Sequence, residues 1–180
     1  MKQQWEAVVI GCSSGGVDAL IRLLGALPGD FLLPVIIVQH VHSEDLSHLA
    51  EIISGYCQLP VKEAEDKEPI TKGHVYIAPP NYHLLVERHH AFALSFDEPV
   101  LYSRPSIDVL FDSASVVYTK RLIGILLTGA NHDGSWGMSR IQHYGGLTIV
   151  QNPKTAATPT MPQSAINSIQ VDHVLDLEKI

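Results

Sequence analysis

Three short segments carry residue types that could do chemistry together. Gly11-Cys12-Ser13-Ser14-Gly15-Gly16 contains the pattern G-x-S-x-G, which presents a serine on a sharp turn between a strand and a helix. The helix start behind Ser13 offers unpaired N–H groups to a developing oxyanion. The same glycines would also serve a turn that only packs, or a loop that cradles a phosphate. Gln39-His40-Val41-His42 supplies a base, because an imidazole titrates near neutrality and can take a serine proton. On an extended segment His40 and His42 point the same way, so a shared metal ion is an alternative reading. Thr128-Gly129-Ala130-Asn131-His132-Asp133-Gly134 supplies a carboxylate. Asp133 can orient a histidine and stabilise its charged form, or it can cap the helix that follows.

These segments matter because of where the elements place them. Glu6–Ile10 and Val35–Val38 are continuous apolar runs of buried-strand type, and Leu122–Leu127 is a third. Val17, Leu20, Ile21, Leu24 and Leu27 recur at helical spacing after the first run, and Leu46, Leu49, Ile52 and Ile53 after the second. Val61–Ala64 and Val75–Ala78 are weaker strands. Residues 83–96 read as a hairpin with a polar turn at Glu87–His90. Ile107, Leu110, Phe111, Ala114, Val117 and Tyr118 form the cleanest helical face, with Ser106 placed as its cap. A helix after Asp133, a strand Leu147–Val150 and a last helix near Met161–Ile169 complete the series. Alternation of helices with strands apolar on both faces predicts an α/β fold. Its sheet is doubly wound and mostly parallel, flanked by helices, with an inserted β-hairpin, in a single domain over 1–180. Such folds bind ligands outside the C-terminal ends of the strands, where Ser13, His40 and Asp133 stand.

The chain has 180 residues, 46% hydrophobic and 17% charged, with net charge −7. That suits a packed core rather than disorder. An acidic chain with no basic run is a poor nucleic-acid binder. Its most apolar stretch, Phe31–Val38, is too short for a membrane span and is broken by Pro34. No signal peptide is read at the N-terminus, and two cysteines make no disulfide framework, so a cytoplasmic location is expected. Cys12, in line with the first strand, is expected to pack as a small apolar residue. Pro79-Pro80-Asn81-Tyr82-His83 is expected to wall the substrate side, and His89-His90 to be solvated.

Taken in order, GCSSGG, QHVH, GHVYIAPPNYHLLV, SRPSIDVLFDSA, ILLTGANHDG, GGLTIVQNP and MPQSAI resemble the CheB-type chemotaxis protein-glutamate methylesterases, from about Ala7 onward. The resemblance implies a serine hydrolase that removes methyl esters from chemoreceptor glutamates, releases methanol and in some members deamidates receptor glutamines. It implies no cofactor and no metal. By motif, Ser13 is the nucleophile, His40 the general base and acid, and Asp133 the orienting carboxylate. The backbone N–H groups of Ser14 and Ala130 form the oxyanion hole. Arg104 of the RPSID motif is a weaker candidate for pairing with substrate carboxylates. The implied partner is the cytoplasmic domain of methyl-accepting chemotaxis receptors. The chain departs from the family where Gly129-Ala130-Asn131 replaces Gly-Met-Gly and Ser14 replaces Thr; His42 and Asn81 replace Pro and Gly. The altered loop keeps open a degenerate member that only binds its partner, beside a metal-dependent hydrolase using His40 and His42. Family members carry an N-terminal receiver domain, whereas this chain opens at its first strand. Control in cis by phosphorylation is therefore not expected, leaving a separate regulatory protein as an alternative. An α/β-hydrolase order would instead draw the histidine from His143 or His173.

Overall fold

The computed structural model describes residues 5–40 and 48–180. The apolar run after Glu6 becomes β1 (Ala7–Cys12), buried along its whole length. Val35–Gln39 forms β2, Val61–Glu63 β3, Val75–Ile77 β4, Leu122–Leu126 β7, Leu147–Gln151 β8 and His173–Leu175 β9. These strands make a seven-stranded sheet in the order β3-β4-β2-β1-β7-β8-β9, with every neighbouring pair parallel. Between them, β5 (His83–Val86) and β6 (Phe92–Ser95) pair antiparallel as the inserted hairpin. A mostly parallel sheet flanked by helices was the expected class, and this is that fold.

Side-chain alternation divides the core into two layers. Val8, Ile10 and Cys12 pack with Leu20 and Leu24 of α1 (Gly16–Gly25) and Ile53 of α2 (Leu49–Ser54). Ala7 and Val9 face the other way, toward α3 (Ile107–Tyr118), α4 (Ser135–His143) and α5 (Thr160–Ser168), with Leu84 and Phe92 of the hairpin in the same layer. Fully burying each such side chain stabilises the fold by about 1.5–3 kcal/mol. Of the residues that predicted the second helix, Leu46 lies outside those described. The hairpin turn falls at Glu87–His90, closed by the Glu87 N–H to the Ala91 carbonyl (2.8 Å). The short β9 escapes sequence reading because it is an edge strand with His173 and Val174 exposed, so no buried periodicity marks it.

The chain leaves β1 for β2 on one side and returns to β7 on the other, so β1 is the topological switch point. The C-terminal ends of β1, β2 and β7 open the crevice typical of such sheets. Gly11 fits there because a Cβ would sit 2.3 Å from Ile107 Cγ2. Its bare Cα lets the first turn of α3 lie directly against the end of β1. Gly15 has φ 78, a left-handed turn that glycine adopts at no steric cost and that sends the chain from β1 into α1.

Candidate active site

Register brings the nucleophile and base candidates together. Gly11 pairs with Val38 and Cys12 with Gln39, so Ser13 and His40 leave adjacent strands side by side. The His40 N–H still donates to the Cys12 carbonyl (2.9 Å). The Gln39 side chain completes the clamp: its Nε2 donates to the carbonyls of Ser13 (2.9 Å) and His40 (2.6 Å). Thr128, at the end of β7, ties in the third strand. Its carbonyl accepts the Ser13 N–H (2.9 Å) and its hydroxyl donates to the Ser14 carbonyl (2.8 Å). Sequence reading missed both staples. Gln39 stood beside His40 in the quoted motif, but nothing in its type marks an amide that turns back onto two carbonyls.

Asp133 meets His40 across the crevice. Its Oδ2 lies 2.7 Å from His40 Nε2, with side-chain exposures of 0% for Asp133 and 9% for His40. The carboxylate also accepts the N–H groups of Ile107 (2.7 Å) and Asp108 (2.9 Å) and the hydroxyl of Ser106 (2.9 Å). Asp133 therefore caps α3, not the helix that follows it, whose N-cap position is Gly134. Ser106 stands at the N-cap of α3 as expected. Its side chain makes no cap bond to the helix, because its hydroxyl is spent as a donor to Asp133. Asp108, in the first turn of α3, returns the arrangement. Its Oδ1 accepts the N–H groups of Gly134 (2.9 Å) and Gly137 (2.6 Å) and so caps α4. Each helix is capped by the carboxylate beside the other helix's start.

This exchange divides the two acids. Burial alone would raise the Asp133 carboxyl, but the bond from His40, the N–H groups of Asp108 and Ile107 and the nearby imidazole outweigh it and hold the group below its usual range. Asp108 is pushed up to about 7 by burial and by the Asp133 charge, against the opposing bonds from Gly137 and Gly134. A pair of carboxyls driven apart by their surroundings keeps one charged and one protonated. Here the charge stays on the member that faces the histidine.

The histidine tautomer follows from Asn131. Its Oδ1 accepts the Asp133 N–H (3.1 Å), which turns its Nδ2 toward His40 Nδ1 at 3.4 Å. With an amide donor on Nδ1, the ring proton sits on Nε2 and is donated to Asp133. Nδ1 is then the free basic nitrogen. Asn131 is not among the left-handed residues; its side chain is what ties it to the loop.

Ser13, Ser14, His40, Ala130 and Asn131 line one cleft of about 720 Å³, with Tyr102, Ser103, Arg104 and Pro105 along the same cleft. Among the described residues, the Ser13 hydroxyl and the backbone N–H groups of Ser14 and Ala130 make no protein hydrogen bond. The cleft wall is the 102–105 segment; Pro79–His83 is not part of it. His83 instead is buried and accepts the Ser106 N–H at Nδ1 (3.1 Å). Arg104 stacks on Phe96 at 4.0 Å and donates through Nη1 to the carbonyls of Phe96 and Asp97. Its Nη1 is thus engaged in holding the loop, while its Nε is buried without a hydrogen-bond partner among the described residues. Cys12 is buried, and burial pushes its thiol well above the usual range, which suits packing. His143 meets Tyr144 edge to face at the end of α4, and His173 lies on the edge strand β9; neither lines the cleft. His42 of the two-histidine metal reading lies outside the described residues. Among those described, no three His, Cys, Asp or Glu side chains are grouped to hold an ion. No described helix is long and apolar enough to cross a membrane.

Comparison with known proteins matches this architecture closely. The CheB methylesterase family model matches residues 8–180. A Leptospira interrogans protein is 51% identical over 176 residues, covering 98% of this chain and 91% of that protein. A Trichodesmium erythraeum protein-glutamate methylesterase/protein-glutamine glutaminase is 37% identical over 97% of this chain. The chain spans about half the length of that relative, 51%. The crystal structure of the Thermotoga maritima CheB methylesterase catalytic domain superposes with a TM-score of 0.93 at 34% identity, covering 98% of this chain and 95% of that one. The sheet order, the cleft at its switch point and these matches lead to one conclusion: the chain belongs to the CheB methylesterase family.

Proposed function

We propose that this chain is a protein-glutamate methylesterase that works through Ser13, His40 and Asp133. The observation that carries the reading is the His40 Nε2–Asp133 Oδ2 pair at 2.7 Å, which leaves Nδ1 as the basic nitrogen in the cleft that Ser13 lines. On substrate binding Nδ1 exchanges its Asn131 contact for the Ser13 hydroxyl and takes its proton. The Ser13 oxygen attacks the ester carbonyl, and the N–H groups of Ser14 and Ala130 receive the resulting oxyanion. His40 then returns the proton to the departing methoxide, methanol leaves, and a glutamyl ester remains on Ser13. Water, deprotonated by His40, attacks that ester; carboxylate is released and the serine proton is restored. Attack on a glutamine side chain follows the same course with ammonia as the leaving group. That is consistent with the glutaminase half of the relatives' names. Asp133 stays ionised throughout and stabilises the imidazolium.

The substrate is the cytoplasmic part of a methyl-accepting chemoreceptor, the site of action is the cytoplasm, and the activity serves chemotactic adaptation. Support for this comes from the family. A serine-directed phosphonate tests the chemistry: the adduct is expected on Ser13. An adduct on Ser14 or Cys12, or none with an active enzyme, would overturn the assignment. Chelators are expected to leave the rate as it is.

A further inference from the structure

The turn Val100–Ser103 stands at the rim of the cleft and is built against backbone preference. Val100 and Ser103 exchange both backbone bonds (3.1 and 2.8 Å), and the two residues between them, Leu101 (φ 47) and Tyr102 (φ 64), are both left-handed. Two-residue turns of this hand favour Asn-Gly, because side chains resist positive φ. Here the positions hold a leucine and a tyrosine, and the fold buries only half of the first and none of the second in return. Tyr102 is fully exposed and Leu101 half exposed; Tyr102 has no ring partner and no hydrogen bond among the described residues.

The base of the turn, by contrast, is firmly held. Arg104 bonds to the Phe96 and Asp97 carbonyls and stacks on the Phe96 ring. Phe96 meets Tyr82 edge to face at 5.6 Å. Phe96 and Tyr82 are themselves exposed, so an aromatic shelf runs outward from the cleft wall. The cleft, about 720 Å³, is in the range that encloses whole drug-sized ligands, far more than one glutamyl ester side chain needs.

We infer that the Leu101–Tyr102 turn is a docking element for the polypeptide that carries the ester, gripping an apolar side chain of the substrate protein beside the modified glutamyl group. The inference rests on the methylesterase reading and names the surface that selects a protein over a small ester. The occupant follows from continuity: Tyr102 lines the same cleft as Ser13 and His40, so a chain delivering its side chain to Ser13 passes over the turn. Conformational strain held at a rim, with the side chains displayed outward, fits recognition better than stability.

The test compares Tyr102→Ala and the double variant Leu101→Asn/Tyr102→Gly with the parent chain. The double variant installs residues that favour the turn and removes its apolar tip, so folding is preserved even if Tyr102→Ala is poorly behaved. Two substrates are used: a methyl-esterified chemoreceptor cytoplasmic fragment and p-nitrophenyl acetate. We expect kcat/KM on the receptor fragment to fall tenfold or more in both variants. The small ester should lose less than twofold, and the double variant should match or exceed the parent in Tm. Equal losses on both substrates, or no loss on the receptor fragment, would overturn the docking role. If the parent neither labels at Ser13 nor cleaves either ester, the methylesterase reading is what has failed. Binding of the methylated fragment to parent and double variant, measured by calorimetry, then still decides the docking role: equal affinities would overturn it and a tenfold weakening would support it.

Discussion

The floor of the cleft and its rim are built on opposite principles. At the floor, Asp133 accepts four bonds, from His40, Ile107, Asp108 and Ser106, and is wholly buried. Gln39 and Thr128 tie Ser13 and Ser14 to the ends of β2 and β7. At the rim, Tyr102 holds a left-handed backbone with an exposed side chain that makes no hydrogen bond or ring contact among the described residues. The floor is over-determined, so the Asp133 carboxylate and the His40 ring that faces it are held in place before any ligand arrives. The rim is under-determined, and its two side chains remain free to be covered by another molecule. The two regions differ in how many bonds each side chain already makes.

Breaking the floor is expected to have the largest effects. Ser13→Ala and His40→Ala should each abolish turnover to a similar extent, because members of one catalytic unit are non-additive. His143→Ala and His173→Ala should keep near-normal kcat. Demethylation assays on the four proteins check this, and an active His40→Ala variant would remove the base from His40. Asp133→Asn should reduce kcat by about 10⁴-fold if it behaves as the protease triad does, since an amide facing Nε2 favours the wrong tautomer. Asp133→Ala adds a structural cost of about 1 kcal/mol from the lost α3 cap, readable as a lower Tm beside the Asn variant.

The paired acids sharpen the comparison through pH. Asp108 is raised from 3.8 to about 7 on folding, so between those values the folded protein holds a proton that the unfolded chain has lost. Stability should therefore fall as pH rises from about 4 to about 7. Asp133 is lowered and has the opposite sign: its contribution is present above the ordinary carboxyl range and is lost as pH falls below it. Asp108→Asn keeps an oxygen acceptor for Gly134 and Gly137 and removes the titration. Its stability relative to the parent should rise between pH 4 and 8 by at most about 4 kcal/mol, from three pKa units at about 1.4 kcal/mol each. Urea titrations at both pH values would show it, and a difference that does not vary with pH would refute it. The smallest effect is expected at Arg104. Its stacking and its two carbonyl bonds make Arg104→Ala loosen the rim, raising KM for a receptor fragment severalfold while a small ester is cleaved with little change. An equal rise for both substrates would point to a purely structural role.

The sequence by itself determined the parallel sheet, because its strands are apolar on both faces and so must lie between helix layers. It also placed Ser13 and His40 just past their strands and Asp133 in the loop that follows the third, since each motif comes after an apolar run. What it could not contain was which partner each polar group would choose. Capping looked local, with Ser106 ahead of α3 and Asp133 ahead of α4. The tertiary structure crossed the caps, because two helices whose N-termini abut at one crevice can satisfy their free N–H groups with each other's carboxylates. Asn131 was legible only as a departure from a glycine; its role came from where its amide lands, on His40 Nδ1. The rim turn was least legible, since Leu-Tyr carries no turn signal. Its left-handed residues sit just ahead of Arg104, which reaches back to the Phe96 and Asp97 carbonyls, contacts that no periodic pattern encodes.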